Sequence, residues 1–336
     1  MRLLNTIKFG FLYFKKGSEV LRTYSLDFVE KFFSEGQRAF KNIYISNSFL
    51  NNNMKLTILG SGGIIPIPKP LCQCKICKEA REKRVPYSRT GPSAFLHDIN
   101  LLIDTPPQIA DSINNANLKE IDNLIYTHLD GDHFDGHSTL ISLYFDGTKY
   151  CYKPKKTINL FVPQRINEKL KTITSQYGNL FDFYTKDKVV KKKTIKNKIK
   201  IKDITIIPIF VKENPATPYI YLFVDDKGKK ILYAPCDTKP FPFESKYVYD
   251  VDLFATQPGF FETGLKDGFV YPQDDYTRVE LYSFNQTLEI AKRIRAKKIL
   301  FIHLEEYWNR SYDDYQKLEK KYPNVIFAYD GFSLEI

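Results

Sequence analysis

From residue 54 onward the chain alternates short apolar runs with polar turns, and the length and composition of those runs read mostly as strand. Runs at 55–59, 101–103, 121–126, 204–211, 219–224, 231–234, 298–302 and 325–328 are rich in Ile, Leu, Val and Phe and too short for ordinary helices; a further strand is expected at 95–97. Asp225-Asp226-Lys227-Gly228, lying between two runs, predicts a hairpin turn. A period near 3.6 predicts helices around 282–295 and 312–320. Strands with interspersed helices imply packed sheets covered by helices, an α/β arrangement.

The first 53 residues follow a different pattern. An amphipathic stripe including Phe28, Val29, Phe32 and Phe33 predicts a helix over 26–40, and Asn51-Asn52-Asn53 reads as a break. We therefore expect an N-terminal extension, 1–53, as a helical accessory, and a main domain, 54–336.

Composition narrows the function classes. Hydrophobic residues make up 43% of the chain and aromatic residues 15%, enough for a real core. No stretch reaches the ~18 apolar residues of a membrane span, so a cytoplasmic protein without membrane partners is expected. The charge of +11 suits a small anionic substrate. Lysines crowd over 186–202, but Ile199-Lys200-Ile201-Lys202 alternates like a strand with one wet face. A lysine-protected hairpin at a sheet edge is favoured there over a nucleic-acid arm.

The chemistry concentrates in Thr127-His128-Leu129-Asp130-Gly131-Asp132-His133. Three of the five histidines, His128, His133 and His137, lie in or just after this segment. A strand ending in a polar turn can aim imidazoles and carboxylates at one point, which suits zinc, manganese or iron. Asp104, Asp237 and His303 follow other apolar runs and occupy comparable strand ends. Asp237 suits a bridge between two cations and His303 a terminal ligand, while Asp104 suits either a ligand or a residue orienting one. Separately, Cys72-x-Cys74-x-x-Cys77 gathers three of five cysteines and points to a structural zinc.

These segments resemble the metallo-beta-lactamase fold superfamily, particularly its phosphonate-pathway cyclic phosphodiesterase branch. Gly60-Ser61-Gly62-Gly63, the CxCxxC run, Leu102-Ile103-Asp104, the 127–133 segment, Cys236-Asp237-Thr238, Ile302-His303 and Tyr329-Asp330-Gly331 occur in that family's order. The resemblance implies an αββα sandwich over 54–336 and one or two divalent ions. It assigns His128 and Asp130 to the first ion, Asp132, His133 and His303 to the second, and a bridging place to Asp237. Asp132 and Asp237 are the catalytic carboxylates it implies.

The implied activity is hydrolysis of a small phosphodiester or related anionic ester by metal-activated hydroxide. Asp130 departs from the family, which has histidine there, and this acid points alternatively to a diiron oxygenase of the same fold. A non-catalytic, metal-stabilised binding protein is the third alternative, and a homodimer is compatible with each. The family histidine expected near 210–212 is missing, with Glu213 as a substitute, and the branch's catalytic histidine near 280–281 has no counterpart. The zinc ligand expected three positions after His303 is Glu306, with Glu305, Cys151, Cys236 or water as alternatives.

Overall fold

The computed structural model describes residues 11–16, 19–25, 53–148, 156–176, 178–212, 214, 216 and 218–336. The chain divides into two units, Met1–Asn53 and Met54–Ile336. In the first, β1 (Phe11–Lys16) pairs antiparallel with β2 (Glu19–Ser25), Lys16 opposite Glu19. The helix expected over 26–40 lies outside the described residues.

The described residues of the second unit form two seven-stranded sheets. Its strands are β3 (Lys55–Gly60), β4 (Ser93–Leu96), β5 (Leu101–Ile103), β6 (Asn123–Ile125), β7 (Ile158–Pro163), β8 (Thr174–Ser175), β9 (Gly178–Asn179), β10 (Val190–Ile195), β11 (Ile199–Ile201), β12 (Ile204–Phe210), β13 (Tyr219–Val224), β14 (Lys230–Ala234), β15 (Leu253–Thr256), β16 (Lys298–Phe301), β17 (Val325–Phe327) and β18 (Ser333–Glu335). One sheet runs β10-β7-β6-β5-β4-β3-β18 and the other β11-β12-β13-β14-β15-β16-β17, while β8 and β9 form a small ribbon. Within the first sheet β5, β6 and β7 are parallel, and within the second β14, β15, β16 and β17 are parallel. Their carboxyl ends therefore align within each sheet.

Alternation along the second sheet makes the layers. Tyr219, Tyr221, Phe223, Ile231 and Tyr233 pack with the side chains of the first sheet. Their neighbours Ile220, Leu222, Leu232 and Ala234 face the opposite way, into a cluster with helices Phe284–Arg293 and Tyr312–Lys321. A sheet covered on both faces needs unbroken apolar strands, which is why these runs lack a polar face. The result is the expected αββα sandwich.

Helix Phe284–Arg293 shows what holds the outer layer. Ser283 and Gln286 form a reciprocal capping box, contributing about 1 kcal/mol. Burial of Phe284 and Ile290 contributes roughly 1.5–3 kcal/mol each, so packing outweighs the cap.

The lysine-rich segment occupies two sheet edges: β10 closes one sheet, and β11 turns back on β12 as the edge hairpin of the other. The strand expected at 95–97 begins two residues earlier and stops at Leu96, where His97 opens a 3-10 turn, His97–Ile99. No helix among the described residues is long and apolar enough to cross a membrane.

Candidate metal centre

The donors converge because four parallel strands end at one place. Asp104 follows β5, the 127–133 segment follows β6, Cys236-Asp237 follows β14, and His303 follows β16. Asp104, Asp237 and His303 all have left-handed backbones, with φ of 62°, 51° and 58°. That conformation breaks the strict alternation of a strand and turns the chain at its tip, a local cost typical of functional sites.

The 127–133 segment is not a continuation of β6. Asp130 stands at the start of a one-turn helix, Gly131–Phe134, which carries Asp132 and His133. Thr105 donates its N–H to the His133 carbonyl at 2.7 Å, fastening this turn to the end of β5. The buried Asp104 carboxylate accepts from Thr127 N and Thr127 Oγ1, each at 2.7 Å, and from His133 Nδ1 at 2.8 Å. With its proton on Nδ1, His133 presents Nε2 as a lone-pair donor.

Two donor triads result, each with ligand atoms within 4.8 Å of one another: His128/Asp130/Asp237 and Asp132/His133/His303. His128 Nε2 lies 3.3 Å from Asp237 Oδ2 and 3.7 Å from Asp130 Oδ2. Asp132 Oδ2 lies 3.2 Å from His303 Nε2 and 3.5 Å from His133 Nε2. The His128 and His133 rings are 4.1 Å apart, so the triads share a wall. Cys236 forms a third grouping with His128 and His133.

Burial drives the imidazole of His128 well below its ordinary pKa, with the neighbouring His133 adding to the effect, which favours the neutral, ligating form. Burial raises the carboxyl of Asp237, and burial followed by the Asp132 charge raises that of Asp130. For Asp132 burial acts upward but the surrounding histidines outweigh it and hold the carboxyl low. Burial likewise opposes protonation of His303, yet Asp132 and Glu305 overcome it and push its pKa up to about 10.

The donor set fits divalent cations. Among the described residues, Asp130, Asp132 and Asp237 form ion pairs with histidines and with no lysine or arginine. Three converging carboxylates without a fixed cation demand positive charge from elsewhere, and mixed N and O donors suit zinc, manganese or iron. A cavity of about 660 Å³, lined in part by Asp130, Asp132, Gly63 and Gln108, opens at this end.

The three thiols form a separate cluster with Glu306, whose Oε1 lies 3.4 Å from Cys72 Sγ, 3.1 Å from Cys74 Sγ and 3.6 Å from Cys77 Sγ. Lys69 N–H and Cys74 N–H point at Cys77 Sγ and Cys72 Sγ, and Lys266 Nζ lies 2.5 Å from the Glu306 carboxylate. Burial pushes the Cys77 thiol up to about 12. A zinc ion would reverse that penalty by stabilising the thiolate directly.

Other expectations are redistributed. Glu305 is not in the thiol cluster: its Oε1 accepts from Ile64 N–H at 3.1 Å and lies 3.2 Å from His303 Nδ1. Cys236 belongs to the strand-tip centre instead of the thiol cluster, because the turn after β14 carries it there with Asp237. Glu213 and Cys151 lie outside the described residues. His137 Nδ1 meets Tyr184 OH at 2.9 Å, His97 Nε2 meets Thr57 Oγ1 at 2.7 Å, and exposed Lys212 pairs with Glu244. The sequence did not reveal the anchoring role of Asp330, which accepts from both N–H and hydroxyl of Ser61 and of Thr90 and so fixes the glycine turn. Its place in Tyr329-Asp330-Gly331 was the available signal.

The profile of the "Beta-lactamase superfamily domain" matches residues 99–304, and the chain belongs to that superfamily. Among solved structures it resembles a diphosphatase from the PhnP family, with 20% identity, 84% of this chain and 98% of that chain covered, and a TM-score of 0.61. It also resembles Zn²⁺-bound PqqB from Methylobacterium extorquens, with 19% identity, 84% and 100% coverage and a TM-score of 0.63. YhfI from Bacillus subtilis, described as a metallo-beta-lactamase fold protein, shares 16% identity over 85% and 100% of the chains, with a TM-score of 0.56. No curated protein matches the chain significantly.

Proposed function

We infer that this protein is a metal-dependent hydrolase acting on a small phosphodiester or related anionic ester. The observation that carries the reading is the pair of donor triads sharing a wall beside an open cavity. His128, Asp130 and Asp237 would hold one cation and Asp132, His133 and His303 the other, with Asp237 suited to reach both. Such cations supply Lewis acidity, activating water and neutralising charge on phosphate oxygens.

The chain's own residues supply the rest. Asp104 orients His133, Glu305 steadies His303, and the Asp330-anchored glycine turn brings backbone up to the centre without side-chain bulk. Since Asp130 and Asp132 line the cavity, an anionic substrate would be attracted by the cations and not by the cavity wall. Cys72, Cys74, Cys77 and Glu306 would hold a structural zinc that pins the 303–306 segment to the helix Lys75–Lys83 region. Superfamily membership and the likeness to a protein described as a diphosphatase agree with hydrolysis.

The test is a panel of cyclic and linear phosphodiesters assayed after reconstitution with zinc, manganese or iron. Absence of product with every metal, at full occupancy, rejects the reading. The Asp130 carboxylate beside His128 favours one second reading, a diiron oxygenase. Oxygen uptake by reduced, iron-loaded protein tests it, and none at full loading rejects it.

A further inference from the structure

We propose that Cys236 is a ligand of the reactive-site metal, its thiolate taking the place beside His128 that a further histidine would otherwise fill. This inference rests on the metal-site reading above and adds a donor to it. Cys236 Sγ lies 3.2 Å from His133 Nε2, 3.6 Å from His128 Nε2 and 3.8 Å from Asp237 Oδ2. The sulfur thus borders both triads.

A buried cysteine is most often a small core hydrophobe, and Cys236 is only 6% exposed. It nevertheless belongs to none of the hydrophobic clusters, and its recorded polar neighbours are two imidazoles and a carboxylate. Consecutive residues of an extended strand point to opposite faces. Here the left-handed backbone of Asp237 abolishes that alternation, so one turn delivers two adjacent donors to one centre.

The histidine inventory leaves the position to sulfur. Between His137 and His303 the sequence has no histidine, and His97 and His137 are engaged with Thr57 and Tyr184. Coordination would exchange the S–H bond for a metal–sulfur bond and release one proton to solvent. A thiolate among imidazoles and carboxylates shifts preference toward zinc, cobalt or cadmium and away from manganese or magnesium.

Cadmium-113 NMR of the full-length protein tests this, because the resonance moves downfield with each thiolate ligand. The expected spectrum has one far-downfield signal from the three-thiol cluster, a second at the position of a single thiolate with nitrogen and oxygen donors, and, with both reactive cations bound, a third at the position of nitrogen and oxygen donors alone. In Cys236→Ser the second signal should move upfield while the first stays in place. The wild-type spectrum is decisive even if the variant fails to fold: reactive-site signals that all have shifts typical of nitrogen and oxygen donors alone overturn the ligand. Cadmium binding confined to the three-thiol cluster overturns the reactive metal site itself, and with it this inference.

Discussion

Asp132 Oδ2 and His303 Nε2 stand 3.2 Å apart, although one follows β6 of the first sheet and the other follows β16 of the second. This pair closes the junction of the two sheets at the candidate metal centre. Asp132→Asn keeps the volume but removes the charge, so metal retention should fall by more than the ~10–100-fold typical of an orienting partner. Hydrolysis should fall with it. Lys200→Ala removes an exposed lysine paired with Asp226 and should change neither. Metal content by mass spectrometry, followed by activity at matched loading, checks the ranking; equal loss in both variants would contradict it.

Asp104 meets only donors. Its two oxygens accept from Thr127 N, Thr127 Oγ1 and His133 Nδ1, so Asp104→Asn must aim an amide N–H₂ at one of them. Metal affinity should weaken by about 10–100-fold, while the fold persists because the site lies at the strand ends. Competition titration with a chromogenic chelator measures this, and unaltered affinity would remove the orienting role.

Legibility from sequence followed locality. His128, Asp130, Asp132 and His133 announce themselves because they are adjacent, and Asp237 and His303 because each ends an apolar run. Cys236 reads from the sequence only as an alternative ligand of the thiol cluster, and its place beside His128 and His133 is hidden because the backbone reversal at Asp237 has no sequence signature of its own. The sheet order was equally hidden: parallel pairs such as β14 with β15 depend on long crossovers, and the two buried faces of β13 look like one apolar run.

Gly63 is required by close approach. A Cβ there would lie 1.8 Å from Glu305 Oε1 and 2.6 Å from His303 Nδ1. Gly63→Ala should therefore displace His303 and reduce reactive-site metal while leaving the three-thiol metal bound. Element-resolved stoichiometry distinguishes this from general unfolding, in which both would be lost.

Glu306 faces three sulfurs, and Lys266 partly balances the resulting negative charge. Glu306→Ala should release zinc and lower the thermal midpoint, whereas Glu306→His should retain the metal by offering nitrogen in its place. Zinc content and melting temperature measured on both variants decide this. If Glu306→Ala keeps a full complement of zinc, the fourth ligand lies elsewhere.

Asp252 supplies a pH-dependent contribution away from the candidate metal sites. Burial raises its carboxyl, but Lys297 at 2.8 Å and the Lys230 N–H at 2.9 Å outweigh that and hold it below the ordinary value. A carboxyl depressed in the folded state stabilises above its unfolded pKa and loses that contribution as pH falls through the folded value. Because Lys297 is largely exposed, the contribution is about 0.5–1.5 kcal/mol. Urea unfolding of Asp252→Asn should therefore show its largest deficit at neutral pH and a shrinking one below about pH 4. A deficit constant across that range would mean that the carboxylate charge contributes nothing.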